Sequence, residues 1–171
     1  MYPNRTEMAG RIVEEVHRCG IELVASLPDG WIADLINRFE DDDRFTHVPV
    51  NREESAIGLC SGAFFSGTGS LALMGASGLM TCVYAITKIN YTYMVPMLIF
   101  ITLRGRAGDR AKFHVSNGLY LEPVMRAMDL PYVVIESKDQ IGEIARAHEK
   151  THTIARPVVV GFTREVLRDE R

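Results

Sequence analysis

Six short apolar runs, each parted from the next by a stretch with helical spacing, limit what this chain can fold into more than any other feature. They occupy residues 21–27, 45–50, 70–75, 94–102, 132–136 and 157–162. Helical periodicity covers 5–19, where Met8, Ile12, Val16 and Cys19 share a face ahead of Gly20, and recurs at 31–39, 53–65, 79–89, 119–128 and 139–150. A strand followed by a helix returns to its sheet by a crossover, so neighbouring strands run parallel and both faces are covered. The pattern predicts an α/β fold, a three-layer doubly wound sheet of about six parallel strands. A chain of 171 residues suits a single domain of this kind. The most apolar run, 95–103, is interrupted by Pro96 and is far shorter than the roughly 20 residues that cross a bilayer. It reads as a buried parallel strand, with no membrane association expected.

In such a sheet a ligand sits beyond the carboxyl ends of the strands. Those ends are Pro28-Asp29-Gly30, Asn51-Arg52-Glu53-Glu54, Gly75-Ala76-Ser77-Gly78 and the polar loop 104–117, so these four segments are expected to cluster. Nineteen basic against 22 acidic residues leave a net charge of −3, which argues against a nucleic-acid partner. Cys19, Cys60 and Cys82 lie far apart and read as buried thiols in a reducing cytoplasm, not as a disulfide framework. The first ten residues lack the apolar stretch of a signal peptide.

Glu53 is the sharpest single residue. On a regular helix Glu53, Ala56, Ile57, Cys60, Ala63 and Phe64 share one face, so an otherwise apolar stripe begins with a carboxylate. Glu54 is turned away, toward Ser61 and Phe65. By position alone, Glu53 is better explained by a first-turn acid favouring the helix N-terminus. The surrounding strings decide for chemistry. Arg52-Glu53-Glu54-Ser55-Ala56-Ile57-Gly58-Leu59-Cys60-Ser61-Gly62-Ala63 places Ala56, Cys60 and Gly62 in register with the small residues of an E-x-x-A-x-x-x-A-x-G helix. Ser26-Leu27-Pro28-Asp29-Gly30 follows a G-x-P-D-S pattern, and Leu73-Met74-Gly75-Ala76-Ser77-Gly78-Leu79 an M-Q-N-S-G-L-G pattern. Ile101-Thr102-Leu103-Arg104-Gly105-Arg106 with Phe113-His114 follows a strand, R-G and Q-H pattern.

In this order, over residues 21–136, the strings resemble the pyrimidine-binding (PYR) domain of thiamin diphosphate-dependent decarboxylases, in particular the sulfopyruvate and phosphonopyruvate decarboxylases. The resemblance implies a 2-oxo acid decarboxylase in which Glu53 shares a proton with the cofactor's aminopyrimidine and so activates it. It implies cofactor contacts at Glu53, Ser77, Gly78 and Leu79, and substrate contacts at Asp29, Gly30, Arg104 and His114. The family binds the diphosphate and Mg2+ through a PP domain marked by G-D-G and a downstream Asn. No G-D-G occurs here; the nearest string is Ala107-Gly108-Asp109-Arg110. The resemblance thus implies a separate G-D-G-bearing beta subunit, and an enzyme active only as a hetero-oligomer.

The substrate end departs from the family. Gly30 stands for Ser, Gly75-Ala76 for Gln-Asn, and Phe113 for Gln, which removes hydrogen-bonding side chains from the expected pocket and leaves carboligation open. Arg104, Arg106, Arg110 and Lys112 suit an anionic tail such as sulfonate, with a solvated loop the plainer reading for at least two. Phe64, Phe65, Met80, Val83, Tyr84 and Ile86 divide between core and a self-association surface. His148-Glu149-Lys150-Thr151-His152 fits H-E-x-x-H, yet it ends a helix, no His follows, and Glu165 and Glu170 are poorly placed as a third ligand, so a chance match is expected. No nucleotide-loop or nucleophile-elbow string occurs. The rival reading is a non-catalytic α/β module that dimerises with or regulates a larger enzyme.

Overall fold

Strand order in the sheet is β2-β1-β3-β4-β6-β5, and every neighbouring pair is parallel. This computed structural model describes residues 5–107 and 109–168, so Gly108 and Glu170 lie outside the described residues. The strands are β1 (Ile21–Ser26), β2 (Thr46–Pro49), β3 (Gly69–Gly75), β4 (Met97–Thr102), β5 (Tyr132–Ile135) and β6 (Pro157–Phe162). The chain runs outward from β1 to β2, then crosses back to place β3 on the other side of β1. That reversal opens a crevice at the carboxyl ends of β1 and β3.

Side chains alternate along the strands, so the inner strands feed two cores. One core takes Leu71 and Leu73 of β3, Leu98 and Phe100 of β4, and Val158, Val160 and Phe162 of β6. It is covered by α1 (Arg5–Arg18), α2 (Ala33–Glu40), α7 (Glu143–Ile154) and α8 (Arg164–Arg168). The other takes Ala72 and Met74, then Met97, Ile99 and Ile101, and Val159. Over it lie α3 (Glu53–Phe65), α4 (Ala76–Thr81), α5 (Val83–Ala85) with a π turn at Ile86–Tyr91, and α6 (Val115–Ala127). The predicted α/β architecture with six parallel strands is what the chain adopts. No helix among the described residues is long and apolar enough to cross a membrane.

Several element boundaries differ from the sequence expectation; the helix expected at 139–150 is α7 at Glu143–Ile154, after a separate 3-10 turn at Lys138–Gln140. The helix expected at 79–89 begins at Ala76, so Gly75-Ala76-Ser77-Gly78 is a first helical turn and not a loop before one. The loop expected at 104–117 ends early, because α6 begins at Val115 and brings Asn117 and Gly118 into its first turn. Glycine lowers helix propensity and so hides both starts; close packing at Gly78 and Gly118 outweighs it. β4 begins at Met97 and not at 94, since Met94 takes a left-handed conformation (φ 52°) before Pro96. The short α8 lies beyond the last expected strand.

Of the residues divided between core and surface, Ile86 is buried, whereas Phe65 and Tyr84 are 62% and 71% exposed. The α3 stripe is as expected for Ala56, Ile57, Cys60 and Ala63, and Ser61 joins it by donating to the Ile57 carbonyl at 2.7 Å.

Phe100 is fully buried and meets Phe162 edge-on at 5.0 Å between ring centroids. Truncation by Phe100→Ala removes that contact and leaves a cavity between two central strands. It should lower unfolding free energy by about 3–5 kcal/mol, read from urea denaturation.

Candidate functional site

The carboxyl ends of β1 and β3 are zipped together past the last sheet pair, with the Leu27 amide donating to the Leu73 carbonyl at 3.0 Å. The two chain segments leaving there, Pro28-Asp29-Gly30 and Gly75-Ala76-Ser77-Gly78, therefore emerge side by side. Asp29 lies so close to Gly75 that a Cβ on that glycine would be 3.3 Å from Asp29 Oδ2. Glu53 opens α3 next to the same turn. A Cβ on Gly78 would lie 2.5 Å from Glu53 Oε1 and 2.7 Å from Cδ, so only glycine lets the carboxyl group rest on this helical turn. Glu53 is half-buried, and no hydrogen bond or ion pair holds its carboxylate among the described residues. A partly desolvated carboxylate without a partner is costly in a stable fold and suited to receiving one.

The third segment closes over the other two. Asn117 on α6 donates to Ser77 Oγ at 3.3 Å. One residue upstream of α6, His114 meets Arg104 Nη2 through its Nδ1 at 2.7 Å. Arg104 in turn pairs with Asp29 at 3.5 Å and with Asp109 at 3.0 Å, and lies 4.0 Å over the Trp31 ring. Asp29 Oδ1 also accepts the Trp31 amide at 2.9 Å, which fixes the turn after β1. Gly105 makes this closure possible. Its φ is +77°, and a Cβ there would overlap the His114 carbonyl and come 2.5 Å from the Gly118 nitrogen. The R-G pair thus has a structural reason: arginine ties the loop, and glycine lets α6 dock on it.

The structure therefore brings Asp29, Glu53, Ser77, Gly78, Arg104 and His114 to one edge of the sheet, linked in a chain of contacts. Gly30 is exposed in the β1 turn and Leu79 is buried beneath the site. Arg104 is not free to receive an anion: its side chain is 11% exposed and engaged on every side. Arg106 is bound to Glu122 and Glu136, each at 3.1 Å. Arg110 and Lys112 are exposed, with no ion pair among the described residues. His148 and His152 do share a helix face, Nε2 to Nε2 at 3.4 Å. No third His, Cys, Asp or Glu stands with them among the described residues, and Glu165 lines a separate cleft beside Trp31.

Sequence reading passed over Asp109, Asn117 and Trp31. Asp109 was visible only as a failed G-D-G string, yet it anchors the loop. Burial works to raise its pKa, but the amides of Gly105 and Ala111 and the Arg104 guanidinium together hold it well below the ordinary value near 3.8. The spacing from Arg104-Gly105 to Asp109 and His114 was the available signal.

The six-stranded parallel sheet has the α/β architecture that the resemblance to a PYR domain implies. The chain is 29% identical to the alpha subunit of sulfopyruvate decarboxylase from Methanococcus maripaludis, over 82% of this chain and 85% of that protein. It is 25% identical to the corresponding subunit of Methanocaldococcus jannaschii, over 83% of this chain and 85% of that one. A phosphonopyruvate decarboxylase from Streptomyces viridochromogenes is 28% identical over 60% of this chain but only 26% of its own length. These homologues bear out the resemblance to a decarboxylase subunit. No family model matches the chain.

Because the folded pKa of Asp109 is depressed, its stabilisation is fully present above the unfolded value near 3.8 and is lost as pH falls through the folded value. Asp109→Asn should therefore lower the urea midpoint by a constant amount near neutral pH. The gap from the unsubstituted chain should narrow steadily once the pH drops below about 4.

Proposed function

We propose that this chain is the alpha subunit of a two-subunit thiamin diphosphate-dependent 2-oxo acid decarboxylase, of the sulfopyruvate and phosphonopyruvate type, working in the cytoplasm. The observation that carries this is Glu53: a half-buried, unpartnered carboxylate at a helix start, resting on a glycine that only a missing side chain opens to it. The residues present fit the pyrimidine half of the cofactor. Glu53 would hold the aminopyrimidine by sharing one proton between its carboxylate and the ring, with Ser77 and Gly78 beside it and Leu79 packed beneath. When bound, thiamin diphosphate supplies the carbon nucleophile and electron sink that carry carbon dioxide loss from a 2-oxo acid.

These 171 residues contain no G-D-G string, so in this reading the diphosphate and Mg2+ are held outside them. A beta subunit with that motif completes the enzyme. The lengths of the relatives support this division. Matches span 85% of proteins named as alpha subunits. They span only 33% of a sulfopyruvate decarboxylase from Methanosarcina acetivorans. On the substrate side, Asp29, Gly30 and His114 face the reacting end of the acid. Arg110 and Lys112 are the cations left available for an anionic tail, because Arg104 and Arg106 are already engaged. The aromatic run Phe64, Phe65 and Tyr93, with successive ring centroids 5.6 and 6.4 Å apart, lies on the Glu53 side of the sheet and offers a surface for subunit contact.

The test is reconstitution. This chain, a G-D-G-bearing partner, Mg2+ and thiamin diphosphate should release carbon dioxide from sulfopyruvate or phosphonopyruvate, with neither chain active alone. Glu53→Gln should leave the circular dichroism spectrum unchanged and lower the rate by roughly 100-fold or more. Full activity in that variant overturns the assignment, and absence of both activity and association favours a non-catalytic module.

A further inference from the structure

His114 sits in a contact that only one of its neutral forms can make. A guanidinium donates and never accepts, so the 2.7 Å bond from Arg104 Nη2 to His114 Nδ1 requires a lone pair on Nδ1. The proton of the neutral ring then lies on Nε2. Asp109 Oδ2 also stands 3.2 Å from the same Nδ1 and, on its own, would favour a proton there. That oxygen is already filled, however, by the Gly105 amide at 2.9 Å and Arg104 Nε at 3.0 Å. Asp109 therefore aims the guanidinium, and the guanidinium sets the imidazole. Both carboxylate partners act on Arg104 from different sides, Asp109 within its own loop and Asp29 from the turn after β1. The Trp31 ring beneath the guanidinium blocks it from swinging away.

We propose that Arg104 and Asp109 are positioning residues that lock His114 as the Nε2–H tautomer, so that it presents a hydrogen-bond donor to an anionic substrate oxygen. His114 is 9% exposed, with the Phe113 ring packed edge-on at 4.2 Å, so the imidazole has little room to turn over. Its Nε2 makes no hydrogen bond among the described residues, which leaves that edge for a ligand. The assignment moves Arg104 from the substrate to the machinery that orients it. It rests on the decarboxylase reading for what His114 donates to, but the tautomer itself does not.

The experiment is nitrogen-15 NMR of histidine-labelled full chain, without partner or cofactor, above the pH at which the imidazoles are neutral. The His114 signals are identified by their loss in His114→Gln. The unsubstituted chain and Arg104→Lys, which keeps a cationic donor, should both show the proton on Nε2. Arg104→Leu should move it to Nδ1, toward Asp109. A proton on Nδ1 in the unsubstituted chain overturns the proposal without any variant, and a proton remaining on Nε2 in Arg104→Leu overturns it as well. In the reconstituted enzyme, Arg104→Leu should lower kcat roughly tenfold or more with little change in KM, and Arg104→Lys should recover most of it. Unchanged kcat in Arg104→Leu with the tautomer moved overturns the catalytic part. If reconstitution yields no decarboxylase at all, the proposed function fails while the NMR result stands on its own.

Discussion

Parallel pairing sends all six strands out of the sheet at the same edge, and both faces must then be covered by the helices that return the chain. Everything at the site depends on this. Segments as far apart in sequence as Asp29, Glu53, Gly78 and His114 meet because each follows a strand whose direction is already settled. The reversal of strand order beside β1 parts the returning connections and leaves a crevice at the carboxyl ends of β1 and β3. Phe100, Phe162 and their neighbours give the sheet its stability, but they have no part in choosing what binds at its edge.

Within that frame, two missing side chains decide the local geometry. Gly78 lets the Glu53 carboxyl group lie on the first turn of α4, and Gly105 lets α6 dock on the loop after β4. In each case a Cβ would overlap atoms essential to the arrangement. The polar contacts follow from these approaches. Arg104 can reach Asp29, Asp109 and His114 at once only because Gly105 bends the chain beneath α6. The site pairs a rigid polar knot around Arg104 with a Glu53 carboxylate that has no partner among the described residues.

Much of the fold was legible in one dimension. Strand and helix alternation, the parallel sheet, and the apolar stripe of Ala56, Ile57, Cys60 and Ala63 all follow from period and spacing, which burial reproduces. The starts of α4 and α6 were not legible, because Gly78 and Gly118 lower helix propensity within those first turns and only close packing restores them. The roles of the arginines were hidden for a different reason. A loop rich in Arg, Gly and Lys looks the same whether its cations are free or engaged. The difference lies in partners such as Asp29 and Glu136, which are distant in sequence.

The sequence by itself determined the class of fold, the edge at which a site would form, and the helix-start carboxylate at Glu53 with its phase set against Glu54. Those are consequences of periodicity, which is local. Only the tertiary structure decided that Glu53 has no partner among the described residues, that Arg104 is spent on Asp29, Asp109 and His114, and that Asp109 anchors the loop. Pairing and its absence are properties of distances between segments, and those distances exist only after the sheet has brought the segments together.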